Sequence, residues 1–317
     1  MNNKILIVED ENITATSIKL ILEQAGYSTC PLASTGKEAI SIAQKEKPNL
    51  ALLDIKLKGN MNGIETGQVL KKMNIPIIFL TAYTDAEIRS EAKKVEPYGY
   101  FEKPFISKEL LSTIEFALYK SVNEKKVNRL NLLFNAQRKL NKILLKENQS
   151  LLKIRTEICD IFVNENIYDI SWLLLFEDKN LLTFSMKDKK EEKKIISLIN
   201  KKEEIKNLMK CANKNRYHDK AIFTVNKERF FNSCPILKNI SDDFVAFLSP
   251  LFYNGSRIGI FGGTFEISQL YSSEKKESYF SEELEIFSEF AEQIGYSIGE
   301  IYINKKASVK EELTYQI

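Results

Sequence analysis

The stretch Lys4-Ile5-Leu6-Ile7-Val8-Glu9-Asp10-Glu11 decides the reading of the first third of the chain. A continuous aliphatic run without polar alternation is the pattern of a strand buried on both faces, and such strands belong to parallel sheets. This one ends in acid, so carboxylates gather where the strand stops. Beyond it, Ile18, Ile21, Leu22 and Ala25 share one face of a helical stretch that Gly26 closes. The pattern then recurs. Leu50-Ala51-Leu52-Leu53-Asp54-Ile55 is a second buried strand with Asp54 near its end, and Pro76 to Thr81 is a third, ending in a hydroxyl. Gly99 to Pro104 is a fourth, ending in the amine of Lys103. Strands alternating with helices at this spacing predict a doubly wound α/β domain whose ligands sit beyond the carboxyl ends of a parallel sheet. Asp10, Asp54, Thr81 and Lys103 are therefore expected to converge.

Such a cluster has a definite chemistry. Two or three carboxylates without histidine or thiol make a hard oxygen site suited to Mg²⁺, which keeps several waters and favours a phosphate-bearing partner. One carboxylate is then free to act as nucleophile: Asp54 attacking a phosphoryl group forms an acyl phosphate, while the metal and an ammonium neutralise the phosphoryl oxygens. The added charge of about −1.5 to −2 suffices to draw in a hydroxyl such as that of Thr81 and bias a two-state surface. An aspartate-dependent phosphohydrolase is the enzyme alternative; it usually carries a second carboxylate two positions on, where this chain has Lys56.

Glu9-Asp10, Leu-Leu-Asp54-Ile, Leu-Thr81-Ala and Lys103-Pro104-Phe105, in that order and spacing, resemble the receiver domain of two-component response regulators over residues 1 to about 118. The resemblance implies a five-stranded sheet, with Asp54 as the phosphoacceptor for a sensor histidine kinase. It implies Mg²⁺ held by Glu9, Asp10 and Asp54, with the backbone carbonyl of Lys56 as a further ligand. Thr81 is then the switch hydroxyl, Lys103 contacts the phosphoryl group, and Tyr100 stands in the place of the family's rotating aromatic. For Tyr100 the alternative is plain packing at a strand end.

At 317 residues two domains are the prior, and 44% hydrophobic with 28% charged residues is ordinary globular composition. A net charge of +3 advertises no nucleic acid, and no apolar run approaches the roughly 18 residues of a membrane span, so a cytoplasmic protein is expected. Four cysteines in this setting read as reduced thiols, and the single histidine, His218, leaves neither a multi-histidine metal site nor a histidine-kinase helix. The expected organisation is a receiver over 1–120, a helical or coiled-coil connector over 121–150, an α+β GAF-like domain over 151–303 and a polar tail over 304–317.

After Pro104 no proline or glycine occurs until Pro235, and residues 107 to about 165 read as one long helix. Val127, Leu130 and Phe134 form one apolar series; Leu140, Leu144, Leu151, Ile154, Ile158 and Ile161 form a second in a different phase. A parallel homodimer through this helix is predicted, against the alternative that it packs on its own domains. From Ile170 the rhythm changes to short strands: Ser171 to Phe176, Leu181 to Ser185, Ala221 to Val225, Val245 to Leu248, and a hairpin at Asn254-Gly255. A final amphipathic helix starts near Ser281 and carries Leu284, Phe287, Ala291, Ile294, Ile298 and Ile301. An antiparallel sheet between an entering and a leaving helix, with Phe280-Ser281-Glu282-Glu283-Leu284, resembles a GAF domain, a sensory or dimerisation module.

Cys159, Cys211 and Cys234-Pro235 look like a cysteine-bearing GAF subgroup, although the usual cysteine three residues before Cys-Pro is here Phe231. Cys211, Cys234 and His218 are the candidates to hold a haem, metal or small ligand; the alternative makes Cys159 a core residue on a helix face, Cys211 the end of a helix and His218 a surface residue. The predicted function is a response regulator that passes phosphorylation through the connector to an output made by protein contact. The alternatives are a redox or ligand sensor that gates phosphorylation, and a thiol enzyme using Cys234.

Overall fold

The computed structural model describes residues 3–82, 86–146, 150–176, 181–193, 220–225, 244–266 and 276–314. The chain divides into two compact units, the first closing at Val127 and the second opening at Asn128. In the first, β1 (Lys4–Val8), α1 (Asn12–Gln24), β2 (Ser28–Thr29), α2 (Gly36–Glu46), β3 (Leu50–Asp54), α3 (Gly63–Lys72), β4 (Ile77–Thr81), α4 (Ala86–Lys93) and β5 (Gly99–Glu102) lead into α5 (Ser107–Leu144). The strands pair in parallel in the order β2-β1-β3-β4-β5. The order reverses between β1 and β3, which opens a crevice at their carboxyl ends.

Both sheet faces are covered, which is why β1, β3 and β4 show no polar alternation. Ile5, Ile7, Leu50, Leu52, Ile78 and Leu80 pack with Ile18 and Leu22 of α1 and with Leu110 and Ile114 of α5. Their alternates, Leu6, Val8, Ala51, Leu53, Ile77 and Phe79, pack with Ala39 and Ala43 of α2 and with Ile64 and Leu70 of α3. Thr35 caps α2 by accepting from the Glu38 N–H, and Asn62 with Glu65 forms a reciprocal capping box on α3, at 2.9 and 3.0 Å. Gly26, with φ +87°, follows the end of α1, and Ala25 is exposed rather than part of the apolar face.

On α5, Lys125 donates from Nζ to the Asn74 carbonyl at 2.9 Å, and burial pushes its ammonium down from the ordinary 10.5 to about 8. Between those values the unfolded chain binds the proton that the folded chain has lost, so stability rises with pH across that window. Lys125→Met is expected to remove this slope and to stabilise the first unit at neutral pH by on the order of 1 kcal/mol. Urea unfolding followed by circular dichroism at neutral and alkaline pH checks it; an unchanged slope in the variant refutes the assignment.

The single helix predicted over residues 107–165 is instead two. α5 ends at Leu144, and α6 (Leu151–Asn164) starts afresh with the Ser150 hydroxyl accepting from the Lys153 N–H at 3.2 Å. The second apolar series also needs correction as a seam between chains. Leu140, Ile154, Ile158 and Ile161 are buried within the second unit, as are Leu133 and Ala136. For Ile154, Ile158 and Ile161 the spacing records the face of α6 laid on β6 and β7, which has the same period as a coiled-coil seam. In the first series, Val127 and Phe134 are 55% and 52% exposed.

That sheet contains β6 (Ile170–Leu175), β7 (Leu181–Met186), β8 (Ile222–Val225), β9 (Phe244–Tyr253) and β10 (Ser256–Glu266), followed by α7 (Lys276–Thr314). The order is β7-β6-β10-β9-β8, antiparallel throughout. Ile170, Trp172, Leu174, Met186, Phe244 and Ala246 line one face. On the other, Phe162 of α6 packs against Phe261 and against Phe290 of α7, with ring centroids 5.0 Å apart in each pair. Gly262 is required here, because a Cβ would stand 2.2 Å from the Trp172 indole across the strand pair.

Three boundaries differ from the sequence reading. β9 runs unbroken through Pro250, which pairs with Ile260; β8 pairs only as far as Leu248, so among the described residues no neighbour on that side needs the missing N–H. α7 begins at Lys276, placing Ser281 inside the helix rather than at its cap, because Phe280 packs against Phe247 and Phe265. The predicted tail is helical as far as Thr314: Lys, Ala, Glu and Leu are strong helix formers, and polarity is no bar to helix.

Candidate functional site

Each predicted residue of the first unit is placed by a strand end. β1 delivers Glu9 and Asp10, β3 ends on Asp54, β4 ends on Thr81, and Lys103 follows β5. The parallel register aligns them: Leu53 lies opposite Val8 and Phe79, and Glu102 lies opposite Thr81. The Lys103 N–H donates to the Thr81 carbonyl at 2.8 Å, tying the last strand end to its neighbour. Gly63, at the start of α3, lets the helix approach Asp54; a Cβ there would stand 2.0 Å from the Asp54 carbonyl oxygen.

Lys103 bridges the acids. Its Nζ donates to Glu9 Oε2 at 2.5 Å and to Asp54 Oδ2 at 2.6 Å. The second Asp54 oxygen, Oδ1, accepts the Lys56 N–H at 3.1 Å, so the carboxylate is held at both ends. Glu9 is almost wholly buried, and its carboxyl is pushed above the ordinary value by burial and by the Asp54 charge, with Lys103 opposing. Burial pulls Lys103 down, but its bonds to Asp54 and Glu9 outweigh this and hold its ammonium above the ordinary value. The sum is a charged crevice in which Lys103 is the cation shared by the two buried acids.

The donor set fits a hard divalent cation. Ligand oxygens of Glu9, Asp10 and Asp54 lie within 4.8 Å of one another, with neither nitrogen nor sulfur among them. Asp10 is the more open of the three, and Lys58 pairs with its Oδ2 at 3.3 Å. That lysine went unremarked in the sequence; its only local signal is a basic residue in the loop after Asp54. Thr81 is buried at the rim, whereas Tyr100 is 39% exposed and stacks on Phe79 at 5.9 Å. Cys211, His218 and Cys234 lie outside the described residues. Cys159 is a buried core thiol on α6, and Cys30 is likewise unpaired and buried. Among the described residues, no helix is long and apolar enough to cross a membrane.

The family model described as response regulator receiver domain matches residues 5–115. Sporulation initiation phosphotransferase F of Bacillus subtilis is 37% identical over 120 residues, which cover 36% of this chain and 93% of that protein. The phyllosphere-induced regulator PhyR of Methylorubrum extorquens is 34% identical over 121 residues, covering 38% of this chain and 45% of that protein. The chain thus spans nearly all of the first relative and about half the length of the second. A signal receiver domain of a modulated diguanylate cyclase from Desulfovibrio desulfuricans, of known structure, is 38% identical, covers 39% of this chain and 99% of that one, and gives a TM-score of 0.38. On the strength of its N-terminal unit, the chain belongs to the response regulator receiver family.

Proposed function

We propose that Asp54 accepts a phosphoryl group from a sensor histidine kinase, and that the change is passed along α5 to the second unit. The observation that carries this reading is the placement of Asp54 in a three-carboxylate cluster with Lys103 Nζ 2.6 Å from its Oδ2. In the transfer, the phosphorus–nitrogen bond of the donor breaks as Asp54 forms its bond to phosphorus. Lys103 shifts from pairing two carboxylates to pairing the new phosphoryl oxygens. Glu9, Asp10, Asp54 and the Lys56 carbonyl would hold Mg²⁺, which would supply neutralisation of charge on the phosphoryl oxygens. Thr81 donates its hydroxyl to the phosphoryl group, and Tyr100, partly exposed on the neighbouring strand β5, follows that movement.

For the second unit the reading is a GAF-like module that acts by protein contact. Its support is the antiparallel order β7-β6-β10-β9-β8 between the helices α6 and α7. A parallel homodimer through α5 is part of the same reading, supported by the exposed side chains of Val127 and Phe134.

The test is incubation of the full chain with acetyl phosphate and Mg²⁺, followed by intact mass and sedimentation. Gain of one phosphoryl group, with a change in association, is the expected result. Absence of any gain, under conditions that label another receiver, overturns the assignment.

A further inference from the structure

The side of the β6–β7 ribbon that faces α6 sets buried hydroxyls beside Leu173. Ile170, Trp172, Leu174 and Met186 make the opposite side apolar. The alternate positions Ser171, Thr183 and Ser185 carry hydroxyls, and all three are buried. Over them α6 lays Arg155 and Cys159, one turn apart and both buried. Cys159 ties the group together: its thiol donates to the Thr183 carbonyl at 3.7 Å, and its surroundings include Ser171 and the charge of Arg155.

Some of these polar groups are satisfied and some are not. Ser185 donates to Asp160 Oδ1 at 2.6 Å. Arg155 is only 5% exposed, yet its Nε and Nη1 donate to no acceptor among the described residues. Thr183 Oγ1 is equally without a partner, and Ser171 Oγ lies by the Cys159 thiol without a bond of normal geometry. Burial holds the guanidinium below its ordinary value. A buried cation with unmade bonds is costly, and orphaned buried donors commonly mark an ion or water. Water satisfies donors but leaves the charge uncompensated, whereas an oxyanion does both.

We propose that Arg155, with the hydroxyls of Ser171 and Thr183, forms a buried site in the second unit for a small oxyanion of carboxylate or phosphate type. The site is independent of phosphoryl acceptance at Asp54 and lies in the other unit. Trp172, the only tryptophan of the chain, neighbours Ser171 on β6, so its emission reports the unit that holds the site.

The experiment is thermal unfolding of the full chain followed by Trp172 emission. Sodium acetate or inorganic phosphate is titrated against sodium chloride at matched ionic strength, for wild type and Arg155→Met. The wild-type midpoint is expected to rise saturably by roughly 2–4 °C or more over chloride. A response to acetate alone assigns a carboxylate, and one to phosphate alone a phosphate-type ligand. Arg155→Met is expected to lose the response and, at low salt, to melt no lower than wild type, since it removes an uncompensated cation. Should that variant not fold, Arg155→Lys is expected to respond only at higher anion concentration. A wild-type midpoint that follows ionic strength alone, or an equal response in the variants, overturns the site.

Discussion

Asp54→Asn is expected to reduce phosphoryl gain from acetyl phosphate from one group per chain to none, while Lys103→Met is expected to keep the acceptor but slow its labelling by roughly 100- to 1,000-fold. The two losses differ in kind. An amide oxygen has neither the charge nor the nucleophilicity to attack phosphorus, and the substitution changes little else, because Lys103 keeps its 2.5 Å bond to Glu9. Lys103→Met leaves the nucleophile but removes the fixed cation that would meet the phosphoryl oxygens. It also strips Glu9 and Asp54 of the counter-ion they share. Glu9 is already pushed up by burial and by Asp54, so removing the ammonium lifts it further and favours a proton in the crevice. Intact mass followed over time separates the two effects. A labelled Asp54→Asn chain would place the acceptor elsewhere, and Lys103→Met labelled as fast as wild type would remove Lys103 from the reaction.

The residues behind that prediction were legible in the sequence for a physical reason. β1, β3 and β4 are buried on both faces, so each is a continuous apolar run, and a charged or hydroxyl residue at the end of such a run is conspicuous. β2 was missed because Ser28-Thr29 is two polar residues at the sheet edge, too short for any periodicity. The helices failed differently. Leu140, Ile154 and Ile158 have the spacing of a seam whether they face another chain or their own sheet, and only burial within the unit decides it. Arg129 and Arg155 carried no signal at all. Each is a single cation on a helical stretch, and the partners that give Arg129 its meaning, Ile167, Phe265 and Glu283, stand well along the chain.

Arg129→Met is expected to cost the second unit about 3–5 kcal/mol, the largest stability loss expected of any charged residue described in that unit. The guanidinium reaches α7 with two bonds of 2.7 Å, from Nε to Glu283 Oε2 and from Nη2 to Glu283 Oε1. Its Nη1 donates to the Ile167 carbonyl at 3.0 Å, and the group stacks 3.7 Å over the Phe265 ring. Glu283 is nearly inaccessible, and the Tyr168 hydroxyl lies 3.5 Å from its Oε1. Burial, and then the Glu283 charge, hold Tyr168 well above an ordinary phenol, so it stays protonated as a donor. One neutral donor cannot replace a cation, and the single variant therefore leaves a carboxylate buried without its counter-charge. Arg129→Lys is expected to recover only part of the loss, because a point charge cannot make two parallel bonds. Arg129→Met combined with Glu283→Leu is expected to approach wild-type stability, since removing both charges removes the desolvation cost with them. Urea unfolding followed by Trp172 emission measures all of these in the unit that holds the pair. If the double variant is as unstable as Arg129→Met alone, the loss comes from the arginine's packing on Phe265 and not from the abandoned carboxylate.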